Sequence, residues 1–142
     1  MPVLFAAALL VAALPASSTA SSPLLVRYTE SGTLVALENA LSVRADGRCR
    51  LDWGHSGPQR RSGHATFRLA PPALRALRAA LSDARFATLK RRYERKPPWP
   101  DTPTFTVTYG GKRVTVSGGA TGPPRLVRLI ARLGRIVNAH SR

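Results

Sequence analysis

Two strand-like segments joined by a pair of glycines constrain the fold of this chain more than any other stretch. The first segment, residues 104–109 (TFTVTY), consists only of β-branched and aromatic residues, which favour extended backbone. The second segment, residues 112–116, reads KRVTV, and Gly110-Gly111 separates the two. Glycine tolerates the positive φ that a two-residue hairpin turn requires. The sequence therefore predicts a β-hairpin over these segments.

Three further strands are predicted upstream of this hairpin. Residues 24–28 (LLVRY) are the first, and the second lies within residues 35–45, where apolar and polar side chains alternate over the last five positions as in a half-buried strand. Asp46-Gly47 is a strong hairpin signal. Residues 48–53 return with every second side chain apolar. These segments predict an antiparallel meander.

Two amphipathic helices are predicted, and they begin at Pro71-Pro72 and Pro123-Pro124, where the missing N–H of proline is harmless. The second helix is expected to end near Val137. Each helix carries an apolar stripe at helical spacing, formed by Leu74, Leu77, Ala80, Leu81 and Ala84 in the first and by Leu126, Leu129, Ile130, Leu133, Ile136 and Val137 in the second. Together the elements predict an α+β fold, in which two helices pack on one face of an antiparallel sheet of about five strands, a meander plus the hairpin.

The remaining segments are expected to be loops. Residues 54–63 contain three glycines and no periodicity, and a short extended piece follows over residues 64–69. Residues 93–103 contain four prolines, which stiffen the backbone and exclude a helix. Trp99 in this loop is interpreted either as a plug over the sheet edge or as an exposed contact residue. The plug is favoured because tryptophan side chains are mostly buried.

The first twenty residues are expected to be a signal peptide, followed by one domain over residues 21–142. Residues 3–14 are apolar but too short to span a bilayer, and Ser18-Thr19-Ala20 provides a small-x-small cleavage pattern near Ala20. No other apolar run approaches the roughly 20 residues that a transmembrane span needs. We therefore expect a secreted protein, extracellular or in the cell envelope, without a transmembrane span.

The charge of the chain is strongly basic, with 22 Lys and Arg against 7 Asp and Glu, a net charge of +15. Such a field attracts polyanions, among which anionic cell-envelope polymers are expected for an exported chain and nucleic acid is not. Since only three of the basic residues are lysines, a coding bias towards arginine on a solvated surface explains the composition equally well. The most ordered basic feature is a stripe on the second helix, which is either a solvated face or an anion site. Its members are Arg125, Arg128, Arg132 and Arg135.

No arrangement of residues predicts catalysis, a metal or a cofactor. The three histidines lack metal-ligand spacing, although His55 and His64 flank one loop. Cys49 is the only cysteine and lies in a predicted strand between two arginines, so we expect a buried, inert thiol, with an intermolecular bridge as the lesser alternative. The carboxylates are few and scattered. The sequence therefore predicts a protein that is not an enzyme.

The order of these segments resembles the emfourin-like domains, small bacterial proteins whose namesake inhibits thermolysin-type metallopeptidases. The matching residues are Asp46-Gly47, Ala73-Leu74-Arg75-Ala76-Leu77, Ala84-Arg85-Phe86-Ala87-Thr88-Leu89, Asp101 and Thr106-Val107-Thr108-Tyr109-Gly110-Gly111. A second, closely similar family of secreted domains fits residues 89–93 and 101–104 slightly better. The resemblance covers nearly all of the mature chain and implies the fold more than the function. One departure is Ser31-Gly32-Thr33, where emfourin-like sequences usually carry a Gly-Gly pair.

The resemblance implies a protein-binding domain that inhibits an extracellular metallopeptidase. We expect the contacts in two loops, residues 29–35 and 96–102, with Trp99 as the anchor because aromatic residues dominate binding hot spots. The candidate contact residues are Gly32, Leu34, Trp99 and Asp101. The alternative function is a basic module of the cell envelope that binds polyanions through the arginine stripe of the second helix.

Overall fold

One mixed β-sheet and two α-helices make up the part of the chain that the structure describes. The structure is a computed structural model, and it describes residues 20–32, 37–56 and 61–142. In chain order the elements are β1 (Leu24–Ser31), β2 (Glu38–Arg44), β3 (Arg48–His55), β4 (Arg61–Arg68), α1 (Pro71–Asp83), a 3-10 turn (Phe86–Thr88), β5 (Arg92–Glu94), β6 (Thr104–Tyr109), β7 (Lys112–Ser117) and α2 (Pro124–His140). The strand order across the sheet is β4-β3-β2-β1-β6-β7-β5, and only the pair of β5 and β7 is parallel. The predicted signal peptide lies, but for Ala20, outside the described residues.

The α+β class with two helices is confirmed, whereas the expectation of about five antiparallel strands was wrong. Residues 61–68 form β4, although a loop and a short extended piece were predicted there, because all eight residues pair with β3. Residues 92–94 form β5 at the start of the predicted proline-rich loop and pair in parallel with β7. A parallel pair needs a long connection between its strands, and no local pattern in three residues encodes such a partner.

The two helices begin at the predicted prolines, and α2 continues three residues past the predicted end at Val137. The last turn of α2 is held against the sheet by His140. Its ring stacks on Phe67 of β4 with 3.6 Å between ring centroids, and its Nδ1 lies 2.9 Å from the carbonyl oxygen of Ile136. This contact with a strand that the sequence pattern did not reveal explains the additional turn.

The core lies between the helices and one face of the sheet. Leu51, Leu41, Tyr28, Val107 and Val114 are direct neighbours in a row across β3, β2, β1, β6 and β7, and each is at most 1% exposed. Both helices cover this row with fully buried side chains, which are Leu77 and Leu81 of α1 and Leu126, Leu129, Leu133 and Val137 of α2. Burying such side chains is the main favourable term in folding. Since successive side chains of a strand alternate between faces, polar and charged residues lie on the opposite face.

The ring of Trp53 in β3 packs closely on Gly63 in β4. The two residues lie opposite each other in the sheet, and a Cβ atom at position 63 would lie 2.6 Å from Cζ2 of the Trp53 ring. We therefore expect Gly63→Ala to lower the free energy of unfolding by about 1–3 kcal/mol, as overpacking does. Urea denaturation measures the change.

Gly54→Ala is the matched control, because a Cβ there would meet its nearest heavy atom, Cβ of Ser62, only at 3.9 Å. The free energy of unfolding of this variant should lie within about 0.5 kcal/mol of the wild-type value. An equal loss of stability in both variants would contradict the close packing of Trp53 on Gly63.

Candidate functional site

The two predicted contact loops leave the same end of the sheet. Ser31, the last residue of β1, pairs with Thr104, the first residue of β6, so both loops join the sheet at this end. We call this end, with Gly32 and residues 96–103, the loop end. The N–H of Gly32 donates to the carbonyl oxygen of Leu37 at 2.8 Å and closes the β1–β2 loop at its base. The candidate Leu34 lies outside the described residues.

A polar pair supports the loop end from inside the sheet. Asn39 is buried at the start of β2, and its Nδ2 donates to Oε2 of Glu30 at 3.4 Å. The neighbouring ring of Tyr28 stacks on Phe105, with 6.4 Å between ring centroids. Burial raises the pKa of the Tyr28 hydroxyl, and the charge and hydrogen bond of Glu30 raise it further. Oδ1 of Asn39 is buried without a hydrogen-bond partner among the described residues, and an open cavity of about 390 Å³ lies beside this polar pair.

Trp99 is fixed in position and is also exposed. Its backbone N–H donates to the carbonyl oxygen of Gly118 at 3.0 Å. One part of its ring lies so close to Gly119 that a Cβ atom there would approach Cε3 to 2.7 Å. The guanidinium of Arg95 lies 4.0 Å from the ring centroid, a cation–π distance. The side chain lies against the backbone that follows β7, an internal strand of the sheet. Since 54% of the residue is exposed, the burial on which the plug interpretation rested is not observed.

The candidate Asp101 shapes the turn that presents Trp99. Asp101 is exposed and adopts a left-handed conformation with φ 61°, which aspartate tolerates better than most residues. The hydroxyl of Thr102 donates to the carbonyl oxygen of Trp99 at 3.1 Å. Sequence reasoning did not identify Arg95 or Gly119 as part of this site. The only sequence signals for them are a basic residue four positions before the tryptophan and a glycine pair after β7.

The arginine stripe of α2 lines a second surface, a groove between the two helices. All four predicted arginines border this open groove of about 570 Å³. The opposite wall is α1, which contributes alanines and Asp83, and Asp83 is the one carboxylate that lines the groove in the described part of the chain. We call this surface the helix groove. The helix groove therefore has the four predicted arginines of α2 on one side and mostly alanines of α1 on the other.

Arg125 has a structural role within this stripe. Its Nε donates to the carbonyl oxygen of Ala84 at 2.9 Å, and its Nη2 donates to the hydroxyl of Thr88 at 3.2 Å. Ala84 caps the C-terminus of α1, where carbonyl groups lack helical partners and a positive charge is favourable. The side chains of Arg128, Arg132 and Arg135, which also line the helix groove, form no ion pair or hydrogen bond among the described residues.

The buried thiol and the histidines form no reactive arrangement. Cys49 is 4% exposed, and its Sγ lies 3.4 Å from the carbonyl oxygen of Gly47, which agrees with the buried thiol that was predicted. Burial raises the pKa of the Cys49 thiol to about 11, and the charge of Asp46 adds to the increase. Across residues 20–32, 37–56 and 61–142, no three His, Cys, Asp or Glu side chains are grouped so that they could hold a metal ion.

Arg125→Gln should lower the free energy of unfolding by about 1 kcal/mol, because two hydrogen bonds to α1 and the turn after it are lost. Arg128→Gln removes the same charge from an exposed side chain of the same groove and should leave stability within about 0.5 kcal/mol of the wild type. Urea denaturation of both variants measures the difference. Equal effects would contradict the structural role of Arg125.

The Cys49 thiol should react slowly with iodoacetamide in the folded protein. A pKa of about 11 in place of 9.0 lowers the thiolate fraction at pH 8 about 100-fold, and thiolate is the reactive form. Burial lowers the rate further. Mass spectrometry of the alkylated protein at pH 8, with and without urea, measures the two rates. A folded rate within a factor of about 10 of the unfolded rate would contradict this environment of the thiol.

The comparisons with known proteins do not extend this description. No protein-family model matches the chain, and no curated protein matches it at a significant level. Within the described residues, none of the helices has the length and apolar character needed to cross a membrane. The resemblance to emfourin-like domains therefore stays a prediction made from the motifs of the sequence.

Proposed function

We propose that this chain is an exported, non-enzymatic binding domain that inhibits an extracellular metallopeptidase of the thermolysin type through its loop end. The observation that carries the proposal is Trp99, a large aromatic side chain that is both held in place and 54% exposed. Large exposed apolar side chains are rare among the described residues, where the others are Leu24 and Val127. A fixed aromatic ring loses little conformational freedom on binding, which favours affinity.

The surroundings of Trp99 support contact with a protein. Aromatic residues and arginine are enriched in protein interfaces, and Arg95 lies on the ring at the loop end. The β1–β2 loop and the proline-rich loop leave adjacent strands, so one partner surface can meet both. The choice of a metallopeptidase as the partner rests on the resemblance to emfourin-like domains.

Inhibition of a thermolysin-type peptidase by the purified domain tests the proposal, at low and at moderate salt. Inhibition should persist at moderate salt, because an aromatic contact is less sensitive to screening than a contact between exposed charges. Trp99→Ala should raise the inhibition constant about 30-fold or more, the loss of at least about 2 kcal/mol that is typical of a hot spot. Leu24→Ala is the control, since Leu24 is 51% exposed and begins β1 at the opposite end of the sheet.

A second pair of variants tests whether the position of the Trp99 ring matters. Gly119→Ala displaces the ring, whereas Gly111→Ala imposes similar backbone strain where no heavy atom lies within 4 Å of the new Cβ. Their φ angles are 79° and 75°. Only Gly119→Ala should weaken inhibition. Unchanged inhibition by Trp99→Ala, or an absence of inhibition by the wild type at both salt concentrations, would contradict the proposed function.

The alternative function is the binding of polyanions in the helix groove. It is favoured by the three arginines that remain there, Arg128, Arg132 and Arg135, opposite the alanine-rich wall of α1. Polyanion binding would weaken steeply as salt rises, and the triple change of these residues to glutamine would abolish it. The same triple variant should retain peptidase inhibition if the loop end is the contact surface.

A further inference from the structure

Arginines and hydroxyl residues alternate in a straight row across the uncovered face of the sheet. The row crosses six neighbouring strands in the order β4, β3, β2, β1, β6 and β7. Its members are, in that order, Thr66, Arg50, Ser42, Arg27, Thr108 and Arg113. We call this row the arginine ladder. Since neighbouring strands lie about 4.8 Å apart, the ladder spans about 24 Å and repeats an arginine about every 10 Å.

A second group of arginines widens the basic surface next to the ladder. Arg48 of β3 lies directly opposite Arg68 of β4, and like charges in such cross-strand positions destabilise a sheet. Together with Arg44 at the end of β2 they border an open depression of about 670 Å³, which two ladder arginines, Arg27 and Arg50, also line. An anion seated here would relieve the repulsion between these side chains.

Few carboxylates neutralise this surface. Asp46 lies 3.5 Å from Nε of Arg48, and Asp52 lies 3.2 Å from Nε of Arg50, both pairs being exposed to solvent. Exposed pairs of this kind are weak. The side chains of Arg27, Arg68 and Arg113 form no ion pair or hydrogen bond among the described residues. The face therefore presents guanidinium groups whose donors remain available.

We infer that the arginine ladder and the depression beside it bind an extended anionic polymer whose charges are phosphate groups. Guanidinium groups bind phosphate oxygens with paired hydrogen bonds. The hydroxyls of Ser42, Thr66 and Thr108 lie next to the arginines in the row and can donate further hydrogen bonds to phosphate. The ladder contains no aromatic side chain, and the ring of Phe67, which lines the depression, already stacks on His140, so neither offers a free platform for stacking of bases. Recognition would thus use the repeated charge of the polymer.

The length and form of the face favour a flexible chain over a lipid surface. The binding positions lie in a row of about 24 Å, which a linear polymer can follow. A peripheral membrane contact usually adds inserted apolar side chains. Leu24 is the one exposed large apolar side chain that lines the depression, among the described residues.

Binding of linear inorganic polyphosphate to the full chain tests the inference, by titration calorimetry at several salt concentrations. The double variant Arg27→Gln/Arg113→Gln removes two ladder arginines that have no ion pair. It should bind at least about tenfold more weakly, and the slope of log K against log salt should become shallower by about 1.4, the value for two lost contacts with a single-stranded polyanion. Thermal unfolding verifies that the variant is folded.

The matched control is Arg128→Gln/Arg135→Gln, which removes the same charge from the helix groove. It should bind polyphosphate with nearly the wild-type affinity and slope. Equal losses in both double variants, binding only to anionic vesicles and not to the soluble polymer, or no binding by the wild type would each overturn the inference. The ladder variant should retain peptidase inhibition, so the failure of this inference and that of the proposed function are distinguishable.

Discussion

The burial of only one face of the sheet is the constraint on which the rest of this molecule depends. A row of side chains that runs through five strands is almost fully covered by the leucines of two helices. The opposite face has no described element over it and carries threonines, serines and arginines. A chain with a net charge of +15 must place its charges on that face, on the outer sides of the helices and in the loops. The basic surfaces of the protein are therefore direct consequences of one-sided packing.

Local signals in the sequence were sufficient for the elements that neighbouring residues determine. The glycine pair of the β6–β7 hairpin, the Asp46-Gly47 turn and the prolines that begin α1 and α2 each act within a few residues. β4 and β5 were missed for a different reason. β4 contains Gly63, whose lack of a side chain is explained only by the Trp53 ring opposite it, and β5 depends on a parallel partner, β7, that lies later in the chain.

The candidate sites show the same division between local and distant information. The candidates Trp99 and the arginines of α2 could be named from the sequence, because an aromatic residue among prolines and a helical repeat are local features. The contact of the Trp99 ring with Gly119 and the hydrogen bond from Arg125 to Ala84 could not be predicted from the sequence, since both join separate elements. The arginine ladder depends on the pairing register of six strands, which a shift of one residue would destroy.

The outer edge of β4 is a possible site of self-association, and the charge of the uncovered face controls access to it. β4 is the last strand of the described sheet and is eight residues long, so its free backbone groups could template a strand of a second molecule. Arg61 and Arg68 stand at its two ends, and mutual repulsion between highly basic molecules keeps such edges apart. A polymer that neutralises the arginines would remove this repulsion and at the same time gather many copies along its length. Binding of the polymer to the uncovered face would then cause the protein molecules to cluster and to associate through their β4 edges.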